Sequence, residues 1–387
     1  MEGTVDAAVA GLLRRVWDLP PTKLTAIVEV ARAVLRAETV KVLVVDYGLV
    51  SLRALGDDGP VDEVQSIVGT LAGRALSHGE TVTVGTNPTM VYVPLTEGAE
   101  RVGVLEIAHN SWDEDFAALA GPVAQVLVLL LISRRRYTDA VQRSRRSQSL
   151  STAAEMQWGL LPPLACAGDG VALSGILEPA YSIGGDSFDY ALDPDGVQFA
   201  IIDAVGHGLP ALLLSVTTIN GLRNARREKR SISDAYAAAG ALLETNFGDS
   251  AYVTGQIGTL DVRSGRLSWI NAGHPQPLLV RDGHARALAC APSWPMGLGG
   301  TVTEIGSEDL QPGDTVLFYT DGAVDSRSPT GEPFGIPRLI DHLVVAVQAG
   351  VAPAETVRRL SSSIVEYNGA ELTDDATLLL LEYHGAP

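Results

Sequence analysis

The sequence predicts an α+β protein with an N-terminal α/β domain, a helical linker and a strand-rich C-terminal domain. Its 387 residues correspond to two or three domains at about 150 residues each. Hydrophobic residues make up 46% of the chain and charged residues 19%, a composition that supports buried cores. The residue pattern changes between positions 133 and 163, so we place the domains at 1–132, 133–163 and 164–387.

The first 132 residues alternate between helical and strand-like patterns. Apolar residues recur at helical spacing over residues 23–37, and the apolar run at 40–46 indicates a buried strand. A closing helix is expected over 116–132, with acidic residues at its positive N-terminal end. Between them we expect one helix at 64–76 and strands at 49–55, 82–84, 90–94 and 101–108.

The linker begins with an arginine-rich stretch, residues 134–149, that contains no proline or glycine. We interpret it as an exposed connecting helix, with a signal-relaying two-stranded coiled coil as the alternative. An apolar helical face continues over 150–161 and ends at Pro162 and Pro163, which cannot continue a helix. The pattern therefore predicts one unbroken helix over 116–161.

Strands predominate from residue 171 onward. The helices are expected in two pairs, at 209–226 with 234–244, and at 337–348 with 354–366. Such helix pairs between runs of strands are typical of a layered α+β domain with packed sheets. The strands are expected at 171–179, 197–205, 251–262, 266–271, 277–281, 315–319 and 376–382.

Charge and composition exclude several classes of function. With 28 basic and 46 acidic residues the formal charge is −18, which argues against a protein that binds nucleic acid or anionic membranes. Two cysteines, Cys166 and Cys290, exclude a disulfide framework. The longest apolar run, 122–132, is shorter than a membrane span, and the N-terminus lacks the features of a signal peptide. We therefore expect a cytoplasmic protein.

Four acidic clusters, each bordered by glycine or small residues, stand next to strand-like segments. A carboxylate at the end of a buried strand is unfavourable unless it is paired or bound to a cation, and no basic residue is near in sequence. Converging carboxylates favour Mg²⁺ or Mn²⁺, and two such ions can activate a water for attack on a phosphoryl group. Each Asp-Gly pair alone is more often a turn. The clusters are Asp186 with Asp189, Asp203, Asp321, and Asp374 with Asp375.

Seven stretches of the C-terminal domain, taken in order, resemble the SpoIIE/RsbU-type serine phosphatases. These are bacterial members of the metal-dependent type 2C (PPM) protein phosphatases. The resemblance covers residues 150–385 and implies two antiparallel sheets flanked by helix pairs, with two metal ions between the sheets. The stretches are AAEMQWGLLPP (153–163), IGGDSFDY (183–190), AIIDAVGHGLPALLLS (200–215), WINAGHPQPLLV (269–280), PMGLG (295–299), LFYTDGAVDSRSPTGEPFG (317–335) and TDDATLLLLE (373–382).

The resemblance also implies roles for individual residues. Asp203 would bridge the two ions, Asp186 and the backbone carbonyl of Ala204 would hold one ion, and Asp321 and Asp374 would hold the other. Four further residues would hold water or order the loops around the site: Asp189, His207, His274 and Asp375. His207 is also a candidate proton donor to the leaving oxygen, although a loop histidine is the simpler interpretation.

Residues 20–132 resemble a GAF domain, a small sensor module, in stretches 69–84 and 92–131. The absence of cysteine before Cys166 excludes a thioether-linked bilin, and surface positions are simpler roles for His78 and His109 than haem ligation. A small ligand such as a cyclic nucleotide, or a ligand-free dimerisation role, stays open. In the phosphatase family the linker helix can gate metal binding, and here its matching residues are Glu155, Met156, Gln157, Leu160 and Leu161.

We therefore expect a phosphoserine/phosphothreonine protein phosphatase, controlled by a GAF domain within a homodimer. By resemblance its substrate is a phosphorylated anti-sigma-factor antagonist of STAS type, whose dephosphorylation releases a sigma factor. A catalytically silent scaffold and a hydrolase of small phosphoesters are the alternatives. Retention of all four aspartates of the metal set argues against the silent scaffold.

Overall fold

The chain folds into two compact units, Met1–Ser149 and Leu150–Pro387. The computed structural model describes all residues except 1, 58–62, 86, 111–112, 183, 195, 249, 370–371, 373 and 387. The boundary between the units falls inside the predicted linker, so residues 133–163 do not form a body of their own.

The N-terminal unit is built around one antiparallel six-stranded sheet in the order β3-β2-β1-β6-β5-β4. Apolar side chains of α1, α2 and α4 share a core with one face of the sheet, and α3 packs on the opposite face. The elements are α1 (Glu2–Trp17), α2 (Leu24–Leu35), β1 (Thr39–Val45), β2 (Ser51–Ala54), β3 (Val64–Ser66), α3 (Leu71–His78), β4 (Val82–Val84), β5 (Thr89–Glu97), β6 (Glu100–His109), α4 (Glu114–Arg134) and α5 (Ala140–Ser144).

Two parts of the N-terminal unit differ from the prediction. Helix α1 was not predicted, and the helix expected at 64–76 is instead a short strand followed by α3. The backbone adopts a positive φ of 78° at Gly69, and the Thr70 hydroxyl accepts a hydrogen bond from the Gly73 amide. This side-chain cap starts a new helix at Leu71 and separates it from β3.

The unbroken helix predicted over 116–161 is wrong. Helix α4 ends at Arg134, α5 is only five residues long, and α6 (Thr152–Leu160) begins at a Ser151 cap. The Arg134 guanidinium donates to the carbonyls of Val16 and Leu19 at the end of α1. Arg143 and Arg145 likewise donate to backbone carbonyls of the N-terminal unit. The arginine-rich stretch is therefore folded onto that unit.

One helical segment among the described residues, Phe116–Arg134, is long and apolar enough to cross a membrane by length and composition alone. Val123, Leu127 and Leu131 on this segment are buried in the core of the N-terminal unit.

The C-terminal unit contains two antiparallel sheets, in the orders β15-β12-β11-β10-β9 and β14-β13-β16-β17-β8-β7. Helices α7 and α8 pack on the first sheet, and α10 and α11 pack on the second. The remaining bounds are β7 (Ala165–Gly168), β8 (Val171–Glu178), β9 (Ser187–Asp193), β10 (Gly196–Ala204), α7 (Gly208–Arg227), α8 (Ile232–Phe247), β11 (Val253–Asp261), β12 (Arg266–Ala272), β13 (Leu278–Arg281), β14 (His284–Ala287), β15 (Gly306–Asp309), β16 (Thr315–Tyr319), α9 (Gly322–Asp325), α10 (Gly335–Gln348), α11 (Pro353–Asn368) and β17 (Ala376–Tyr383).

These layers confirm the predicted α-β-β-α sandwich. The space between the sheets is filled by large apolar side chains, among them Phe188, Phe199, Trp269 and Phe318. Strand β9 was missed because Ser187 and Asp189 interrupt its apolar pattern, and the short strands β7, β14 and β15 were missed as well. At one end of the sandwich the apolar filling gives way to polar side chains, which form the candidate site.

Candidate active site

Five aspartates lie at strand ends of the two sheets of the C-terminal unit. Asp203 is the next-to-last residue of β10 in the five-stranded sheet, and Asp186 immediately precedes β9. Asp321 follows β16, and Asp374 with Asp375 precedes β17, in the six-stranded sheet. The fold thus brings carboxylates together that are nearly 190 residues apart in sequence.

Asp186 is held by hydroxyl groups from the opposite sheet. One oxygen of its carboxylate, Oδ2, accepts hydrogen bonds from Thr320 Oγ1 at 2.7 Å and Thr377 Oγ1 at 2.8 Å. Burial first, and then the charges of Asp203 and Asp375, raise the pKa of Asp186 well above its usual value. The two threonines therefore orient a carboxylate whose charge the surrounding protein does not neutralise.

Asp375 ties the Gly184-Gly185-Asp186 loop to β17. Its Oδ2 accepts from the backbone amides of Gly184 at 2.7 Å and Asp186 at 3.3 Å. Burial, opposed by these hydrogen bonds and assisted by Asp374, raises the pKa of Asp375 to about 6. Asp375 therefore positions the loop, while the neighbouring Asp374 side chain is exposed.

Gly185 allows the loop to approach the strand that carries Asp203. A Cβ atom at Gly185 would lie 2.4 Å from the carbonyl oxygen of Ala204, a distance that no side chain tolerates. The Ala204 amide also donates to the Gly185 carbonyl at 3.3 Å. The carbonyl of Ala204 therefore lies against the loop that carries Asp186, next to the residue with which it is predicted to share an ion.

Asp203 and Asp321 are coupled through their charges. Burial and the carboxylates of Asp321, Asp374 and Asp375 raise the pKa of Asp203 to about 7. Burial, Asp374 and Asp325 raise the pKa of Asp321. Asp325, one helical turn after Asp321, adds a further carboxylate that the sequence analysis did not include. The predicted metal ligands thus form one cluster of mutually repelling charges.

The donor chemistry of this cluster fits a hard divalent cation. Its donors are all oxygens, and among the described residues none of its aspartates forms an ion pair with a basic side chain. A cation would relieve the repulsion that raises these pKa values. Across the described ranges, however, no three His, Cys, Asp or Glu side chains already stand close enough together to hold a metal ion.

Asp189 has a different environment from the one predicted. Its Oδ1 accepts from Arg223 Nη2 at 2.6 Å and its Oδ2 from Arg226 Nη1 at 2.8 Å. Arg223 also donates to the Leu160 carbonyl at 2.7 Å. The carboxylate of Asp189 is thus occupied by two guanidinium groups and ties β9 to α7. Its role in holding water or ordering the loops around the site stays a prediction.

The two histidines of interest occupy opposite environments. His207 is exposed at the start of α7, where its side chain makes no capping hydrogen bond. His274 is buried, and its Nδ1 lies 3.0 Å from Thr254 Oγ1. Burial lowers the pKa of His274 to about 3, so this side chain is neutral at physiological pH. Only His207 is open to solvent beside the aspartate cluster.

The predicted switch residues lie on α6 and just after it. Gln157 is fully buried, and its Nε2 donates to the backbone carbonyl of Asp186. Leu160 and Leu161 pack against the cores of the C-terminal unit, whereas Glu155 and Met156 are exposed. On the other side of the loop, Ser215 of α7 donates to the Gly185 carbonyl. Both helices therefore contact the loop that carries Asp186.

Several residues of the site were missed by sequence reasoning. They are Thr320, Thr377, Arg223, Arg226, Ser215 and Thr254. Thr320 immediately precedes Asp321, and Thr377 lies two residues after Asp375. A hydroxyl residue beside an acidic motif was therefore a signal that the sequence analysis could have used. The arginines and Ser215 lie on a helix and carry no such signal.

Comparisons with known families and structures agree with this architecture. A family model described as Stage II sporulation protein E (SpoIIE) matches residues 193–384. The SiaA-PP2C domain of Pseudomonas aeruginosa superposes with a TM-score of 0.51 at 21% identity, over 60% of this chain and 94% of that one. This likeness shows that the C-terminal unit has a PP2C-type fold.

Curated relatives match over more than half of the chain. The chain is 27% identical over 238 residues to Protein IcfG of Synechocystis sp., covering 54% of this chain and 37% of IcfG. It is 21% identical over 252 residues to Phosphoserine phosphatase RsbU of Bacillus subtilis, covering 62% of this chain and 71% of RsbU. The chain thus spans well under half of IcfG and somewhat over two thirds of RsbU.

Proposed function

Since the C-terminal unit belongs to the SpoIIE family of PPM-type serine/threonine phosphatases, we propose that this chain is a metal-dependent phosphoserine/phosphothreonine protein phosphatase. The observation that carries the proposal is the cluster of Asp186, Asp203, Asp321 and Asp374, which repel one another and form no ion pair with basic groups in the described part of the chain. Such a cluster is unfavourable in a protein that binds no cation.

The proposed ligands are Asp186 and the Ala204 carbonyl for one ion, Asp321 and Asp374 for the other, and Asp203 for both. Two bound Mn²⁺ or Mg²⁺ ions would supply an activated water and stabilise charge on the phosphoryl oxygens. Thr320 and Thr377 orient the Asp186 carboxylate, and Asp375 holds the loop amides of Gly184 and Asp186.

Two features of α7 favour a phosphate group beside the cluster. The 20-residue helix begins at Gly208, four residues after Ala204, and no side chain caps its N-terminus. Free amides and the helix dipole at such an end attract anions. His207 is exposed at this end and can carry a proton near a leaving oxygen. The substrate phosphate would therefore approach from the α7 end of the cluster.

The substrate we propose is a phosphorylated regulatory protein, namely a STAS-type antagonist of an anti-sigma factor. Support comes from the family and from two Bacillus subtilis relatives that carry the name phosphoserine phosphatase, RsbU and RsbP. The acidic chain, with a charge of −18, does not favour nucleic acid as a partner. We place the protein in the cytoplasm.

We also propose that the N-terminal unit regulates the phosphatase, as a GAF-like sensor for a small ligand within a homodimer. Its single antiparallel sheet with helices on both faces supports the GAF-like assignment. Helix α6, the first element of the C-terminal unit, contacts the loop that carries Asp186 through Gln157. A shift of α6 would therefore change the position of Asp186. We propose that the N-terminal unit controls the phosphatase through this contact of Gln157 rather than through an unbroken helix.

The test is hydrolysis of p-nitrophenyl phosphate and of a phosphoserine peptide by the full chain with Mn²⁺. Asp203→Asn should lower kcat/KM by at least about 100-fold, because it removes the carboxylate shared by both ions. Asp193→Asn, an exposed position at the end of β9, is the matched control and should leave turnover unchanged. Turnover that is independent of divalent ions, or equal in the Asp203 variant, would contradict the proposal.

A further inference from the structure

A buried histidine connects the two strands that carry the central metal ligands. His274 Nδ1 lies 3.0 Å from the hydroxyl of Thr254. Thr254 is the register partner of Asp203 across β10 and β11. The backbone carbonyl of Tyr319, two residues before Asp321, opposes the lowering of the His274 pKa by burial and therefore lies near the ring. The imidazole is thus bonded to the first sheet through Thr254 and lies close to the second sheet at Tyr319.

The Thr254 hydroxyl beside the ring has two possible acceptors. Thr254 Oγ1 lies 3.0 Å from His274 Nδ1 and 3.5 Å from the backbone carbonyl of Asp203. The hydroxyl either donates to Nδ1, or donates to that carbonyl and accepts from a protonated Nδ1. Within the described part of the chain, the buried Nε2 atom has no hydrogen-bond partner.

The backbone of His274 is fixed independently of its ring. The Asn271 side chain donates to the His274 carbonyl at 2.9 Å and accepts from the His274 amide at 2.7 Å. Gln256, itself fully buried, donates to the carbonyl of the next residue, Pro275, at 2.9 Å. Two buried amides thus hold the loop, and the imidazole extends from a rigid base towards the other sheet.

We propose that His274 is a positioning residue that sets the distance between the Asp203 strand and the Asp321 strand and thereby the affinity for the divalent ion. This inference rests on the proposed metal-dependent function. A hydrogen bond from His274 to the Tyr319 carbonyl would hold the two strands at one separation, and with them the carboxylates of Asp203 and Asp321. Residues that orient metal ligands typically change metal affinity by 10–100-fold when they are replaced.

The test separates the two contacts of the ring in the full chain. His274→Asn keeps an amide near the position of Nδ1 and loses the contact with Tyr319, whereas His274→Gln reaches towards Tyr319 and loses Thr254. Each should weaken Mn²⁺ binding about tenfold in isothermal titration calorimetry, and excess Mn²⁺ should restore turnover of p-nitrophenyl phosphate. His284→Asn, at an exposed histidine of β14, should leave Mn²⁺ affinity unchanged.

A second pair of variants avoids the buried ring. Thr254→Val removes the hydroxyl and should weaken Mn²⁺ binding in the same direction, whereas Thr254→Ser keeps the hydroxyl and should retain the affinity. This pair decides the matter if the His274 variants do not fold.

Two results would overturn the inference while leaving the proposed function intact. One is wild-type Mn²⁺ affinity in folded variants. The other is a loss of turnover that saturating Mn²⁺ does not restore, which would indicate proton transfer by His274. Failure of the unmodified chain to bind any divalent ion would instead overturn the metal-dependent function, and this inference with it.

Discussion

Asp186 and Asp189 stand three residues apart, and both side chains are only 2% exposed, yet the protein treats their charges differently. Asp189 is paired with two arginines of α7 at 2.6 and 2.8 Å. Asp186 receives two threonine hydroxyls and faces other carboxylates, which raise its pKa. The fold itself neutralises the first charge, whereas the second has no basic partner in the described part of the chain, and we propose that a divalent ion pairs with it.

This difference separates an aspartate that is paired within the fold from one that we propose binds a metal ion. Both residues lie in the IGGDSFDY stretch, and a sequence pattern alone assigns them the same kind of role. A buried carboxylate with an internal counter-ion stabilises the fold, because removing it leaves the partners uncompensated. A buried carboxylate without an internal counter-ion destabilises the fold when no ligand is bound, and such a residue is a candidate for ligand binding. Variants at the two positions should therefore differ in sign as well as in size.

The largest effect is expected at the paired aspartate. Asp189→Ala leaves Arg223 and Arg226 without a counter-ion in a largely buried position, which should lower the free energy of unfolding by about 3 kcal/mol. Urea unfolding of the C-terminal unit within the full chain, followed by circular dichroism, measures the change. Asp193→Asn, at the exposed end of the same strand, is the control and should change the stability by less than about 0.5 kcal/mol.

Asp186→Asn gives the opposite result in the same experiment. Without metal it removes a charge that other carboxylates repel, so stability in a chelator should be unchanged or higher. With Mn²⁺ the variant should lose the stabilisation that the wild type gains from binding. A chelated Asp186→Asn protein that is clearly less stable than the chelated wild type would contradict this prediction.

A second prediction concerns pH and the unpaired charges. Asp203 and Asp375 have folded pKa values of about 7 and about 6, above their usual value of 3.8. Groups with a raised folded pKa stabilise the protein in their protonated form, and this stabilisation is lost as pH rises through the folded pKa. In the metal-free protein, ionisation of these two groups should therefore lower the stability by about 1 kcal/mol between pH 6.5 and pH 8.

Comparing the chelated protein with the protein in saturating Mg²⁺ tests whether the carboxylates cause that loss of stability. His274, whose pKa is lowered to about 3, gives a smaller change of the opposite sign, about 0.4 kcal/mol, because the unfolded histidine is still half protonated at pH 6.5 and loses that proton by pH 8. The expected net loss is therefore about 0.5 kcal/mol. Saturating Mg²⁺ should abolish or reverse the dependence, because ion binding requires the ionised carboxylates. A chelated protein whose melting temperature stays flat or rises from pH 6.5 to pH 8 would contradict the charge cluster.

The aspartates of the C-terminal unit also show what can be predicted from sequence. Asp186 and Asp203 were found because an acid beside glycine or at the end of an apolar strand is a local pattern. The layered fold followed from strand runs and helix pairs for the same reason. The partners of Asp189 lie 34 and 37 residues away on a helix, and no local pattern shows which face of α7 meets β9. The break of the predicted 116–161 helix was missed because arginine side chains bind distant carbonyls there.

The smallest expected effect concerns helix α6, which contacts residues beside both Asp186 and Asp189. Gln157 donates to the Asp186 carbonyl, and the Leu160 carbonyl accepts from Arg223, the partner of Asp189. Gln157→Ala removes one buried hydrogen bond, about 1 kcal/mol, and frees the Asp186 loop on the α6 side. It should therefore raise the Mn²⁺ concentration for half-maximal turnover about fivefold, whereas the exposed Met156→Ala should not. An unchanged metal requirement with a lower melting temperature would show that Gln157, like Asp189, only stabilises the fold. The proposal that α6 regulates the phosphatase would then be wrong.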